Sequence, residues 1–503
     1  MAESRKKNTM RNIIMSYLNM IVTMLFQFIS RTIIVQTLGY QYLGLSSLFT
    51  SILQVLSLAD LGFAGAIMYN LYKPIADGDD VKVCALLEYL KKVYRTVGIV
   101  IFSFGVVIMP FIKLFINGDV PADINLYILY FLYLINTAVS YFLFAYKNTL
   151  LEALQRNDIV KNIYTVVSIG QYVLQLVALT LFKNFYFFVI ANILGTMLKN
   201  IVGEWVSKRI YPHYFCKGTI DSETRGDIVT RVKGLLVCNI SGKTYTTLDS
   251  IVISSFIGLG AVAVYNNYLV IFTAVTTCMT VIRGGMQASV GNKIAVASVD
   301  ENYQDMLVWQ FLFSVLVTWC ASCMLCLYQP FMTMWMGKDM LLPMRDVVLF
   351  CIWIVVSEVQ HAFFLYLSGN GLWWELKQPY ILSTVQNLVL NIVFGKFFGT
   401  TGIIISSLLA TLIFGLIWQC IIIFKCYFKC TPIEYYKKQV RYFAITIIVC
   451  GLSYYLCGLI RIDEIGGLVV KGIICTTVSA VVMGLSYFRT RIFKRTISLL
   501  RKR

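Results

Sequence analysis

The sequence predicts an all-α integral membrane protein of about fourteen transmembrane helices, and three observations predict it. Of its 503 residues, 58% are hydrophobic and only 14% charged, with a mean hydropathy of +0.74. That is more apolar surface than a fold in water can cover. Fourteen apolar windows can be placed along the chain, and at roughly 20 residues each they use about 280 residues, close to the apolar fraction. The basic residues also segregate. Of the 43 Lys and Arg, 33 fall in the termini and alternate loops, six in the opposite loops and four inside the windows. An error of one span would mix the two sides, so the split supports fourteen spans with both termini in the cytoplasm.

The N-terminal segment MAESRKKNTMRN carries Arg5, Lys6, Lys7 and Arg11 and runs into apolar residues from Ile13 to about Val35. This run is longer than a signal-peptide core and lacks a small-residue cleavage site, which predicts a retained first span and a cytoplasmic N-terminus. Further windows fall at about 45–70, 92–116, 124–146, 162–182 and 185–205. After a polar stretch from Ser207 to Lys233 come windows at about 234–257, 261–282, 307–328, 346–368, 380–398, 401–424, 442–460 and 466–488. Six spans before the polar stretch give both halves the same orientation, which admits a parallel repeat. Arg31 to Gly39 (RTIIVQTLG) aligns weakly with Asp249 to Ile257 (DSIVISSFI), each at the outer end of the first span of its half. Spans thirteen and fourteen fall outside this duplication.

The cytoplasmic loops read as partly helical. Thr431-Pro432-Ile433-Glu434 has the pattern of a capping box that starts an interfacial helix through Tyr435, Tyr436 and Val440. The tail RTRIFKRTISLLRKR is either a helix lying on anionic headgroups or a solvated tail that sets topology. The net charge of +18 points, in so lipophilic a chain, to cytoplasmic loops and anionic lipid rather than to DNA or RNA.

Ionisable groups inside the hydrocarbon slab are the informative ones, because a charge there is costly unless it faces water or a protein cavity. Arg31 and Gln27 lie on span one, Asp60 on span two, Lys243 and Asp249 on span seven, and Glu358 with His361 on span ten. Arg31, near the outer surface, either lines a cavity or snorkels. Lys199 and Lys471 lie close enough to a span end to snorkel. Glu358 and His361 are three apart, on one helical face, where they form either a structural pair or one shared with protons or a cation. Asp60 sits in LSLADLGFAGA, whose small residues permit tight packing or a break in the span. Lys243 follows Asn239, Ser241 and Gly242, a polar run that hints at a water-filled lumen. The asparagines at 136, 239, 266, 267, 387 and 391, with Gln54, suit either sugar hydroxyls or interhelical hydrogen bonds.

Enzyme chemistry finds little support. Cys320, Cys323 and Cys326 have CxxCxxC spacing but lie in an apolar span with no following ligand, so they read as packing residues. The 14 cysteines lack the paired spacing of a secreted scaffold. Two histidines, His213 and His361, assemble no zinc signature. No P-loop is present. The longest outward loop, Gln329 to Arg345, is too short for a catalytic domain.

The run RTIIVQTLGYQYLGLSSLF, then LSLADLGFAGAI, LYKPIADGD and AYKNTLLEALQRND resembles the polysaccharide transporter branch of the multidrug/oligosaccharidyl-lipid/polysaccharide (MOP) flippase superfamily. These are O-antigen and capsule repeat-unit flippases, related to lipid II flippases and to multidrug and toxin extruders. GLLVCNISGKTYTTLDSIVIS and PFMTMWMG extend the similarity into the second half. The resemblance implies two six-helix lobes in parallel pseudo-two-fold repeat around a central cavity, plus two C-terminal helices. The corresponding domains are an N-lobe over 1–206, a cytoplasmic linker over 207–233, a C-lobe over 234–424, an interfacial cytoplasmic helix over 425–441, spans thirteen and fourteen over 442–488, and a basic cytoplasmic tail over 489–503.

The function implied is passage of an undecaprenyl-diphosphate-linked oligosaccharide across the bacterial cytoplasmic membrane by alternating access, for surface polysaccharide synthesis. A diphosphate crosses hydrocarbon only along a wet path with positive groups. Arg31 matches the family's first-helix arginine, and Lys243 is the natural second cation, with Asn239, Asn267 and Gln27 as further lumen residues. Asp60, Asp249, Glu358 and His361 are expected in coupling or gating, with protons or sodium as coupling ions. No cofactor, metal or nucleic acid is expected; membrane lipids and a polysaccharide polymerase are the expected partners. A multidrug and toxin extruder of the same fold, antiporting protons or sodium, is the alternative. A polytopic polymerase or glycosyltransferase is disfavoured by the short outward loops.

Overall fold

A computed structural model describes the backbone of residues 2–57, 63–460 and 464–501; side chains at 2–10, 12, 13, 231, 233–246, 288, 295 and 497–501 lie outside that description. Regular secondary structure among the described residues is entirely helical. Contacts divide the chain into two compact units, residues 1–263 and 264–503.

The first unit opens with α1 (Ala2–Thr37), α2 (Tyr40–Leu56), α3 (Phe63–Asp77) and α4 (Asp80–Ile108), the last prolonged by a tight 3₁₀ turn over Met109–Phe115. Asp79 caps α4 by accepting from the Lys82 N–H at 2.9 Å. Next come α5 (Leu126–Phe142), α6 (Tyr146–Ala153), α7 (Asn157–Thr180), α8 (Phe185–Ile210) and α9 (Ser222–Phe256); α10 (Leu259–Val296) starts here and has most of its length in the second unit. Asn125, Asn184 and Asp221 supply the side-chain caps of α5, α8 and α9, each satisfying N–H groups a helix start leaves open. Thr224 donates to Asp221 through its hydroxyl and its N–H, holding that carboxyl below its ordinary value.

Lipid offers helices no hydrophobic reason to associate, so close packing and interhelical hydrogen bonds hold them. In the first unit α1 packs on α7, α7 on α8, and α2 on α9. Thr196 donates to Asn136 at 2.8 Å, Asn19 to Thr165 at 3.0 Å and Thr247 to Gln54 at 3.2 Å. Asn136 therefore serves helix association.

The second unit contains α11 (Val299–Met336), α12 (Met344–Glu358), α13 (His361–Gly369), α14 (Lys377–Ala410), a wider π-helical stretch over Thr411–Trp418, α15 (Gln419–Ile423), α16 (Ile433–Gly458), α17 (Ile465–Tyr487) and α18 (Arg491–Arg501). α14 is two helices across a kink at Gly399. Its arms meet: Asn387 donates to Ser407 at 2.9 Å and Ser406 donates to the Asn387 carbonyl at 3.0 Å, while Asn391, on the same arm, donates to Asn387 at 3.2 Å. A ladder fastens α16 and α17 to α11, with Gln310 on Gln439 at 3.0 Å, Thr318 on Thr446 at 2.7 Å, and Ser322 on Ser479 at 3.2 Å.

Each expected window falls largely on helix among the described residues; the one at 45–70 is shared by α2 and α3, with residues 58–62 outside the description. Ten helices among the described residues are long and apolar enough to cross a membrane, or eleven with the bent pair α5–α6. One of the ten, Lys377–Phe428, contains the reversal at Gly399 and so holds two of the expected spans. The chain is a multi-pass membrane protein.

Three local expectations differ. The window at 124–146 ends early: after a 48° bend the short helix α6 follows where a loop was expected. α16 has no side-chain cap at Thr431 and runs unbroken from Ile433 into span thirteen, so the separate interfacial helix over 425–441 does not form. Glu434 bonds Lys437 at 3.2 Å rather than closing a capping box, and no Gly or Pro after 433 stops the helix before the span.

The third difference is the register of the repeat. The N–H of Gly39 reaches the Ile34 carbonyl at 3.0 Å, and that of Gly258 reaches the Ile253 carbonyl at 2.9 Å. Both glycines have positive φ, 113° and 126°, a conformation that favours residues without Cβ. Each ends one helix and starts the next directly. The structural equivalence is Gly39 with Gly258, one residue from the alignment with Ile257, and it places Ser30 rather than Arg31 opposite Asp249.

Candidate functional site

The expected lumen residues divide between description and absence of description. Arg31 lies on α1 and is half-buried, and Gln27 on the same helix is exposed. Asp249 on α9 and Asn267 on α10 are both fully buried. Lys243 and Asn239 are on α9, but their side chains lie outside the described residues, as does Asp60 altogether. Lys199 is half-buried, and its ammonium donates to Gln171 at 3.0 Å.

The structure does bring together Glu358 and His361. They lie in the Met344–Gly369 span, whose apolar window is 67% buried, against 11% for the first span. The helix breaks at Val359 and Gln360, so Glu358 closes α12 and His361 opens α13. Both are almost fully buried. Glu358 Oε2 lies 2.7 Å from His361 Nε2, and its Oε1 accepts from the Ser357 hydroxyl at 3.1 Å.

A third member, Arg283 of α10, was not anticipated. Its guanidinium lies 3.1 Å from His361 Nδ1 and stacks 4.6 Å over the Phe364 ring. In the sequence Arg283 stands directly after an apolar window and before Gly284-Gly285, which reads as a loop. α10 instead continues to Val296, and the extra turns carry the guanidinium alongside α13.

This geometry assigns the imidazole tautomer. Arginine is only ever a donor, so Nδ1 must be the acceptor and Nε2 carries the proton that it donates to the Glu358 carboxylate. A neutral ring thus links a half-buried cation to a buried anion. A second proton on the ring needs Nδ1, and there it would face the Arg283 donors. Protonation and the Arg283 contact are mutually exclusive.

The break is braced from α14's continuation. Gln360 donates to the Val356 carbonyl at 3.0 Å and to the Thr411 carbonyl at 3.4 Å, and the Trp353 indole donates to the Thr411 hydroxyl at 3.0 Å. Gly415 leaves room for the Gln360 amide, which a Cβ there would meet at 2.7 Å. A π-helical stretch supplies the irregular backbone opposite the break.

Of the CxxCxxC cysteines, Cys326 meets two distant partners, Cys457 and Cys475, with the three sulfurs within 4.8 Å of one another. These three are the described residues able to hold a soft metal ion. Two of the thiols already have backbone partners: Cys475 donates to the Ser322 carbonyl at 3.6 Å and Cys457 to the Lys471 carbonyl at 3.7 Å.

A family model described as "Polysaccharide biosynthesis protein" matches residues 9–284. No curated protein matches significantly. Among solved structures, the fold is similar to the lipid II flippase MurJ in an inward closed conformation, at TM-score 0.69 and 14% identity, covering 94% of this chain and 99% of that one. It is also similar to a multidrug resistance MATE family transporter of the MOP superfamily in an inward-facing conformation, at TM-score 0.62 and 13% identity, covering 81% and 97%. A MOP superfamily transporter from Pyrococcus furiosus, described as having a binding pocket of reverse polarity, gives TM-score 0.55 and 15% identity, covering 85% and 97%.

Proposed function

Since this chain belongs to the polysaccharide biosynthesis protein family and has the helical fold shared by MurJ and MATE transporters, we propose that it is a flippase for lipid-linked oligosaccharide. Its cargo is the diphosphate-sugar head of a polyprenyl lipid, moved across the cytoplasmic membrane for surface polysaccharide synthesis, with both termini in the cytoplasm. The observation that carries the reading is the family match over residues 9–284. The segregation of basic residues to one set of loops supports the orientation.

No covalent chemistry is required. Arg31 and Lys243 offset the diphosphate charge in transit, and Asn239, Asn267 and Gln27 offer hydrogen bonds to sugar hydroxyls. Asp60 and Asp249 compete for the same cations and close the path when cargo is absent. The polymer-forming enzyme that consumes the cargo is the natural partner.

The Arg283–His361–Glu358 relay supplies a coupling device. A proton arriving at Nδ1 separates Arg283 from the ring and leaves an imidazolium paired with Glu358. The helix break between α12 and α13 is the element such a change would move. Sodium coupling predicts no dependence on this ring.

The second reading is an extruder of organic cations, favoured by the burial of two carboxylates, Asp249 and Glu358. Deletion of the gene followed by lipid analysis decides between them. Accumulation of polyprenyl-diphosphate oligosaccharide supports the flippase; unchanged lipids with new sensitivity to cationic drugs support the extruder.

A further inference from the structure

We propose that the second unit holds a binding site for the phosphate headgroup of an anionic phospholipid, a reading independent of the transport function. A recess of about 660 Å³ opens where α16 begins and α17 gives way to α18. Lys438 and Arg441 line it from α16, Arg491 and Arg495 from α18, and Gln304 from α11. No carboxylate lines it among the described residues. Asp305, beside it, is engaged by Arg495 at 2.8 Å and by Lys293, and Glu434 bonds Lys437. The recess keeps a positive excess at the end of the spans where the distribution of basic residues places the cytoplasm.

A second observation marks a ligand. Tyr487 also lines the recess; it is 3% exposed, and its hydroxyl has no hydrogen-bond partner among the described residues. Buried hydroxyls are ordinarily satisfied. Arg441 stacks 5.2 Å over the same ring, so a phosphate held by Arg441 would lie against Tyr487.

The chemistry favours a lipid over a soluble phosphate. Leu307, Tyr442 and Ile492 complete the lining, and Leu485 and Phe488, on the adjoining turn, are exposed. A headgroup with hydrocarbon attached uses the cations, the apolar lining and the lipid-facing surface beside it; inorganic phosphate uses the cations alone.

The test is native mass spectrometry of the full chain with phosphatidylglycerol and phosphatidylcholine. Each cation near a membrane surface is worth about fivefold in affinity for anionic lipid, so Arg441→Gln with Arg491→Gln should lower phosphatidylglycerol retention about thirtyfold and leave phosphatidylcholine unchanged. Tyr487→Phe keeps the ring and its packing, and should still lower phosphatidylglycerol retention severalfold even if the double variant folds poorly. Equal retention by wild type and Tyr487→Phe, or equal retention of the two lipids by wild type, overturns the proposal. So does displacement of phosphatidylglycerol by millimolar pyrophosphate, which assigns a soluble polyanion, or by equimolar polyprenyl diphosphate, which assigns the cargo.

Discussion

His361 Nε2 lies 2.7 Å from Glu358 Oε2 across a two-residue break in a buried span, with Arg283 3.1 Å from the other ring nitrogen, Nδ1. The ring cannot take a second proton without losing the arginine. Under the proposed coupling role, that exclusivity would give the relay a measurable signature.

Glu358→Gln keeps the volume and removes the charge. A hydrogen bond to a charged group is worth about 1.5–3 kcal/mol, and thermal unfolding in detergent should show a loss of that order. Transport by this variant should also lose its dependence on the proton gradient. Wild-type transport that is the same with and without that gradient removes the relay from coupling.

Gly44 and Gly284 make opposite predictions. A Cβ at Gly44 would stand 2.2 Å from the Leu259 carbonyl oxygen, whereas one at Gly284 meets nothing within 4 Å. Gly44→Ala forces the starts of α2 and α10 apart and should cost about 1–3 kcal/mol. Gly284→Ala, inside a helix, should be neutral or stabilise by about 0.5–1 kcal/mol. Comparable melting temperatures for the two variants would contradict this packing.

Arg31→Ala should reduce surface polysaccharide roughly ten- to hundredfold, the rate equivalent of losing one charge-assisted contact in transit. Arg31→Lys should restore part of it. Polysaccharide is quantified alongside membrane abundance of the protein, since a variant missing from the membrane reports on folding. Full export by Arg31→Ala removes this residue from the path, and the same reasoning applies to Lys243→Ala.

The thiols of Cys326, Cys457 and Cys475 should behave as packing groups, two of them, Cys457 and Cys475, already served by backbone carbonyls. Elemental analysis of the purified protein should find metal well below one equivalent, and Cys475→Ser should leave transport intact. Stoichiometric zinc or copper that disappears in Cys475→Ser would instead make the cluster a metal site.

The spans were legible because transfer into lipid depends on composition, which a window of residues carries in itself. The reversal at Gly399 falls between the windows expected at 380–398 and 401–424 and was legible too. The interruption at Val359-Gln360 was not: it keeps apolar composition, since neighbouring side chains such as Gln360 satisfy the freed backbone groups inside the protein. Glu358 and His361 were legible as a pair from their spacing, while Arg283 was hidden by reading the end of an apolar window as the end of a helix. The repeat was visible but slipped by one residue: aliphatic runs align in several registers, and the glycines that end both helices, Gly39 and Gly258, were the better anchor.

The most direct test of the flippase reading is reconstitution into liposomes containing a polyprenyl-diphosphate oligosaccharide, with leaflet position read by accessibility to an added glycosidase. The account predicts that wild-type protein moves the lipid between leaflets well above the rate in protein-free liposomes, and that Arg31→Ala slows it. Movement no faster than in protein-free liposomes, together with uptake of small organic cations by the same preparation, would contradict it.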